Sequence, residues 1–189
     1  IGSGCIYDGF PKPDGFTEED PPNFTGSFYS LTKAMSDQLL KPFPVLQLRL
    51  RMPFDRVQNP RNLLSKLIKY NKVLDAENSI TYMPDFYEAL KALIAKRAIG
   101  IFNAVNPGVA SPYKIMQKYK ELVDPKHTFE RITVADLPGV VKAARSNCVL
   151  SPKKILAEGV TLQPVDEAVR QALSSWASLR HLPLKGRQP

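Results

Sequence analysis

Apolar residues recur every three or four positions in six segments of this 189-residue chain, and this spacing predicts six helices. Proline and serine positions support their ends: Pro42 and Pro44 stop the first helix, Pro60 opens the second, and Ser111 caps the fourth. The predicted helices run from about Ser27 to Lys41, Asn59 to Tyr70, Asp85 to Arg97, Ser111 to Leu122, Pro152 to Glu158 and Val165 to Leu179.

Strands are predicted between these helices. Val45 to Arg51 alternates with period two, so leucines share one face while Gln47, Arg49 and Arg51 share the other. The remaining strands are expected at Ile1 to Tyr7, Lys72 to Asp75, Ser79 to Met83 and Ile99 to Val105. Alternation of strand and helix without a repeat predicts an α/β fold with crossover connections, and one domain or part of one.

Composition narrows the class of protein. The formal net charge is +8, but the charges are scattered without the aromatic-interleaved basic stripe that stacks bases, which argues against nucleic acid as a partner. No apolar run approaches the roughly 20 residues of a membrane span. Cys5 and Cys148 lie far apart and are expected to be reduced core thiols, and His127 and His181 have no ligand-like neighbours, so no metal is implied.

The candidate chemistry lies at Tyr29 and Lys33, which are four residues apart and therefore share one face of the first predicted helix. A tyrosine hydroxyl, with an ordinary pKa near 10, donates a proton readily at neutral pH only when its phenolate is stabilised. An ammonium one turn away provides that stabilisation, and a hydroxyl such as Ser3 could hydrogen-bond the same substrate oxygen. The spacing alone is weak, since a surface helix can carry it by chance.

The surrounding sequence is more specific. The informative segments are Gly4 to Tyr7, Gly15 to Asp20, Pro22 to Ser30, Thr32 to Met35, Leu48 to Pro53, Asn59 to Asn62, Tyr70 to Val73, Asn106 to Val109 and Arg145 to Asn147. In this order they resemble the extended short-chain dehydrogenase/reductases, within them the dTDP-4-dehydrorhamnose reductases, and most closely the plant-type nucleotide-rhamnose epimerase-reductases. The resemblance covers nearly the whole chain and weakens after about Leu150.

The resemblance implies roles for particular residues. Tyr29 would be the catalytic acid, Lys33 would tune it and hold the ribose of NADP or NAD, and Ser3 would complete the catalytic triad. Met52 and Pro53 would lie beside the nicotinamide.

Arg61 and Asn62 would approach the nucleotide-sugar substrate, where a guanidinium suits a diphosphate. Arg61 could equally be a solvated arginine at a helix start. Glu18, Glu19 and Asp20 are expected to form a solvated loop.

One departure from the family is the absence of a phosphate-binding glycine loop from the 189 residues. The expected fold is therefore a partial Rossmann-like parallel sheet, with residues 1–56 carrying its strands and the Tyr29 helix, and 57–189 forming a mixed substrate-binding-type region. A missing N-terminal segment or second chain is expected to cover the sheet edge at Ile1.

Two function hypotheses remain open at this point. The first is an NAD(P)H-dependent reductase of a 4-keto-6-deoxy nucleotide-sugar such as dTDP- or UDP-4-keto-rhamnose, with or without 3,5-epimerase activity, located in the cytoplasm. The second is a non-catalytic accessory subunit of a larger complex on the mitochondrial matrix side.

Overall fold

Five strands and six helices alternate along the chain in the computed structural model, which describes residues 1–10, 13–139 and 144–180. The strands are β1 (Gly2–Ser3), β2 (Leu46–Leu50), β3 (Lys72–Leu74), β4 (Gly100–Asn103) and β5 (Glu130–Ile132). The helices are α1 (Phe28–Leu40), α2 (Leu63–Leu67), α3 (Met83–Ala95), α4 (Pro112–Leu122), α5 (Lys153–Ala157) and α6 (Val165–Arg180). Short 3-10 turns occupy Gly4–Ile6 and Val134–Gly139.

Both sheets are parallel, as the alternating pattern predicts. One has the strand order β1-β2-β4, with Gly2 opposite Arg49 and Leu46 opposite Gly100, and the other pairs β3 with β5. Parallel neighbours need a crossover, and α1 supplies it between β1 and β2. The α/β class is therefore confirmed, while a domain division near residue 56 stays a prediction.

Buried apolar side chains form four clusters among the described residues, and two of them are large. The larger cluster joins α2, β3, α4 and α6, and Trp176 lies within it at 1% exposure. The indole Nε1 of Trp176 donates to the carbonyl oxygen of Arg56 at 2.7 Å, which satisfies its one polar atom. A second cluster fills the space between β2, β4, α3 and α5.

Three predicted elements differ from the structure. The strand predicted from Ile1 to Tyr7 is reduced to β1, because the chain enters a 3-10 turn at Gly4. Ser79 to Met83 is not a strand: it makes one isolated bridge, from Tyr82 to Phe54, and α3 already begins at Met83. The predicted helix from Asn59 to Tyr70 is reduced to α2, because Asn62 caps a helix that starts at Leu63. The short strand β5 was not predicted.

The polar face of β2 is buried rather than solvated. Gln47, Arg49 and Arg51 are each less than 5% exposed, and α1 covers the first two with the carboxylate of Asp37. This arrangement ties the helix that carries Tyr29 to the strand beneath it.

The expectation that the acidic loop is solvated is wrong for Glu18. Its side chain is buried, and Oε1 accepts a hydrogen bond from the backbone N–H of Asn103 at 2.7 Å. Burial raises the pKa of Glu18 above its ordinary value, and the Asn103 hydrogen bond opposes that shift.

Within the described residues, the β1 edge of the three-stranded sheet has no neighbouring strand, and one face of α1 has no covering layer. β1 pairs only with β2 there. On α1, Phe28, Leu31, Met35 and Leu39 are all exposed and recur at helical spacing. Across residues 1–10, 13–139 and 144–180, no helix combines the length and apolar content that a membrane crossing requires.

Candidate active site

Tyr29 and Lys33 occupy the first two turns of α1, as predicted. The helix begins there because the Ser27 hydroxyl oxygen accepts the backbone N–H of Ser30 at 3.0 Å, which caps the first turn. Tyr29 is about half exposed and lines a cavity. Lys33 is half-buried, and its Nζ donates to the carbonyl oxygen of Ile1 at 3.1 Å, next to β1.

Ser3 ends β1 and is 5% exposed. Its hydroxyl oxygen accepts the backbone N–H of Cys5 at 3.2 Å and so caps the 3-10 turn that follows. Among the described residues, the cavity wall includes Tyr29 and Cys5 but neither Ser3 nor Lys33. Lys33 contacts the residue that precedes β1, and Ser3 ends that strand, but neither side chain lines the cavity with Tyr29.

The cavity has a volume of about 770 Å³, which suits a small-molecule ligand. Cationic side chains and no carboxylates are found among the described residues that line it. The cations are Arg51, Arg61, Lys66, Lys69, Lys72 and Arg145. Such a wall attracts anionic ligands.

Met52 and Pro53 line the same cavity, immediately after β2. Met52 has φ of 42°, in the left-handed region that L-residues other than Asn and Asp seldom adopt. Neighbouring contacts hold this corner, since the N–H of Arg51 donates to the Thr81 hydroxyl at 3.1 Å and that of Phe54 donates to the Thr81 carbonyl at 2.9 Å.

Arg61 and Asn62 separate in the structure although they are adjacent in sequence. Arg61 is exposed and lines the cavity. Asn62 is 3% exposed: its Oδ1 accepts the N–H of Leu64 at 2.9 Å, and its Nδ2 donates to the carbonyl oxygens of Asp55 and Val57 at 2.8 Å each. These contacts make Asn62 the residue that shapes the loop presenting Arg61.

The sequence analysis did not assign two of the residues that line the cavity to the candidate site. Cys5 was expected to be a core thiol, yet it lines the cavity, whereas Cys148 is fully buried. Arg51 is 3% exposed, and its Nη1 lies 3.0 Å from Cys5 Sγ. The available signals were the position of Cys5 two residues after Ser3 and that of Arg51 on the polar face of β2.

The described residues contain no cluster of three or more His, Cys, Asp or Glu side chains able to hold a metal ion.

Comparison with known proteins adds what the geometry alone does not show. No family model matches the chain. A bifunctional dTDP-4-dehydrorhamnose 3,5-epimerase/reductase from Arabidopsis thaliana is 39% identical over 174 residues, which cover 88% of this chain and 58% of that protein.

The crystal structure of a UDP-rhamnose synthase from Acanthamoeba polyphaga mimivirus superposes with a TM-score of 0.87 at 32% identity, covering 92% of this chain and 63% of that one. The chain belongs to the dTDP-4-dehydrorhamnose reductase-like short-chain dehydrogenase/reductases. It spans about three fifths of the length of these relatives.

Solved structures of lower sequence identity share the fold. The dTDP-4-dehydrorhamnose reductase from Bacillus anthracis, solved in complex with NADP, gives a TM-score of 0.73 at 18% identity over 93% of this chain. RMD from Pseudomonas aeruginosa, solved with NADPH, gives 0.68 at 15%. Structural neighbours of this chain therefore bind nicotinamide cofactors.

Proposed function

We propose that this chain forms the substrate-binding part and the Tyr29 side of an NAD(P)H-dependent reductase of a 4-keto-6-deoxy nucleotide-sugar, such as dTDP- or UDP-4-keto-rhamnose. One observation carries the proposal: Tyr29 opens into a cavity that the described residues line with six cations and no carboxylate. A nucleotide diphosphate supplies the negative charge that such a wall favours, and a keto-sugar attached to it supplies a carbonyl for Tyr29.

The chain's own residues fit one end of a nicotinamide cofactor. Met52 and Pro53 share the cavity with Tyr29, and Lys33 lies one turn further along α1. When bound, the reduced nicotinamide supplies the hydride. Tyr29 would donate a proton to the substrate carbonyl oxygen, while Lys33 would hold the ribose and favour the phenolate that Tyr29 becomes.

A second segment or chain would supply the rest of the cofactor site. No G-x-x-G-x-x-G or G-x-G-x-x-G loop occurs in the sequence. The free edge of β1 and the exposed apolar stripe of α1 offer a surface for a segment carrying such a loop. Replacing Met35, which is 64% exposed, with Asp should block assembly with the glycine-loop half of a relative, whereas Lys91→Asp on α3 should not.

Binding of UDP and dTDP to the chain, measured by isothermal titration calorimetry, tests the substrate part of the proposal. We expect Arg61→Gln to weaken binding about tenfold through loss of a charged contact. Lys91→Gln is the matched control, because Lys91 is an exposed cation outside the cavity wall and pairs with Glu88. Equal affinities of the two variants, or no binding by the unmodified chain, would contradict the proposal.

The position of Cys5 favours 3,5-epimerase activity as an additional function. Epimerisation next to a carbonyl requires a side chain that removes and returns a carbon-bound proton, and the Cys5 thiol is on the cavity wall beside Arg51. In the assembled enzyme, Cys5→Ser should slow deuterium uptake from D2O into the keto-sugar. Cys148→Ser, which changes the buried thiol, should leave uptake unchanged.

A non-catalytic accessory subunit remains the competing hypothesis, since the same uncovered α1 face could pack against other proteins. Nucleotide diphosphate binding distinguishes the two, because a purely structural subunit has no need of an affinity that depends on Arg61.

A further inference from the structure

Two buried arginines lie two residues apart on the same face at the end of β2, and their surroundings differ in charge. Arg49 is 1% exposed and Arg51 is 3% exposed. Arg49 forms an ion pair with the carboxylate of Asp37 at 2.5 Å. No described carboxylate lies within salt-bridge distance of Arg51.

None of the hydrogen-bond partners that the described residues give the Arg51 guanidinium is a carboxylate. Nη1 contacts Cys5 Sγ at 3.0 Å, and Nη2 donates to Asn78 Oδ1 and to the carbonyl oxygen of Ser146. Nε has no hydrogen-bond partner among the described residues, although it is fully buried. An amide oxygen and a carbonyl oxygen offset only part of the cost of removing a cation from water, so no described carboxylate compensates this charge.

Arg51 lies on the cavity wall next to Cys5. Tyr29 and Met52 line the same cavity. A neutral side chain could fill the same volume and avoid the desolvation cost, so packing does not account for an arginine at this position.

We propose that Arg51 is an electrostatic ligand-binding residue: its charge gives the cavity wall beside Cys5 a positive potential that stabilises negative charge on an oxygen of the ligand. This inference deepens the proposed function and rests on it for the identity of the ligand. When hydride adds to a carbonyl carbon, the C=O electron pair moves to the oxygen, which takes a proton from Tyr29. A positive potential inside the cavity lowers the energy of this step.

The potential can be measured at Cys5 without substrate or cofactor. Iodoacetate and iodoacetamide both form a sulfur–carbon bond with the Cys5 thiolate and release iodide, but only iodoacetate carries a negative charge. The ratio of their rate constants cancels the intrinsic reactivity of the thiol and reports the attraction of the cavity for an anion. Peptide mass spectrometry separates Cys5 from Cys148, which is fully buried.

We expect Arg51→Gln to lower the iodoacetate-to-iodoacetamide ratio about 3- to 10-fold, as removal of a unit charge a few ångströms away requires. Arg51→Lys, which keeps a cation, should lower the ratio less. The matched control is Lys91→Gln, which removes an exposed cation that is paired with Glu88 outside the cavity wall and should leave the ratio unchanged.

An unchanged ratio in Arg51→Gln would overturn the inference. Should that variant fail to fold, the unmodified chain still tests the idea, because a ratio no higher than that of a model thiol would also overturn it. The proposed function is tested separately: loss of UDP binding would remove the assigned ligand, while the charge measured at Cys5 would stand.

Discussion

Arg49 and Asp37 form a two-pronged ion pair between β2 and α1, with Nε–Oδ1 and Nη2–Oδ2 distances of 2.8 and 2.5 Å. Asp37 lies on the buried face of α1, with Ser30 and Ala34, whereas Tyr29 at the start of the helix is half exposed. We infer that the buried pair fixes how α1 lies on β2, and with it where the helix presents Tyr29.

Breaking this pair should be costly. We expect Asp37→Ala to lower the free energy of unfolding by about 3–5 kcal/mol, because it leaves the buried Arg49 guanidinium without a counter-charge. Urea denaturation monitored by circular dichroism measures the change. The double variant Asp37→Leu with Arg49→Met removes both charges and should recover most of the loss. A single-variant cost below about 1 kcal/mol would show that the pair does not hold α1.

Removal of the Tyr29 hydroxyl should abolish most catalysis without affecting folding. In the chain assembled with a glycine-loop segment, Tyr29→Phe is expected to lower kcat about 10²- to 10⁴-fold, the usual contribution of a positioned acid. NADPH oxidation with a 4-keto-6-deoxy nucleotide-sugar provides the measurement. Tyr87→Phe is the matched control, since Tyr87 on α3 has similar exposure and lies outside the cavity wall. Equal rates for the two variants would refute the assignment of the acid.

Glu18 should give the fold a specific pH dependence. Burial raises its folded-state pKa, so the folded protein binds the proton more tightly than the unfolded chain does. This stabilising contribution is fully present below the ordinary value of 4.5 and is lost as pH rises through the raised folded value. The melting temperature of the wild type minus that of Glu18→Gln should therefore increase as pH falls from 7 towards 4.5. If this difference in melting temperature decreased as pH falls, the pKa of Glu18 would be lowered on folding rather than raised, and the prediction would be wrong.

The sequence predicted the secondary-structure elements whose ends are set by neighbouring residues, such as a capping serine or a proline. Ser27 and Pro42 bracket α1, and its observed bounds differ from the prediction by one residue at each end. Ser79 to Met83 has the apolar content of a strand, but its backbone N–H groups bond to scattered partners: Ser79 to the Cys148 carbonyl, Tyr82 to the Asn106 side chain and Met83 to the Phe54 carbonyl. A ladder needs one continuous neighbour, which local sequence does not reveal.

The sequence predicted the part of the candidate site that belongs to a recognisable motif, and not the contacts around it. Period-two alternation shows that Arg49 and Arg51 share a face of β2, but not that α1 covers this face or that only Arg49 meets a carboxylate. Those facts depend on Asp37, which contacts the strand only after the crossover helix has folded back onto it. Likewise Asn62 and Arg61 look equivalent in sequence, and the capping of α2 separates their roles.

Met52 should carry measurable backbone strain at the cavity wall. Its φ of 42° is unfavourable for a residue with a Cβ, and the following Pro53 restricts it further. Met52→Gly and Met52→Ala both remove the side chain, but only glycine relieves the strain, so the glycine variant should be more stable by about 1 kcal/mol in urea denaturation. At Arg97, which has φ of 52° beyond the end of α3, the glycine variant should again be more stable than the alanine variant. At Lys91, inside α3, the alanine variant should be the more stable one, because alanine favours a helix by about 1 kcal/mol over glycine. Alanine above glycine at Met52 would mean that this corner of the cavity relaxes freely and stores no strain.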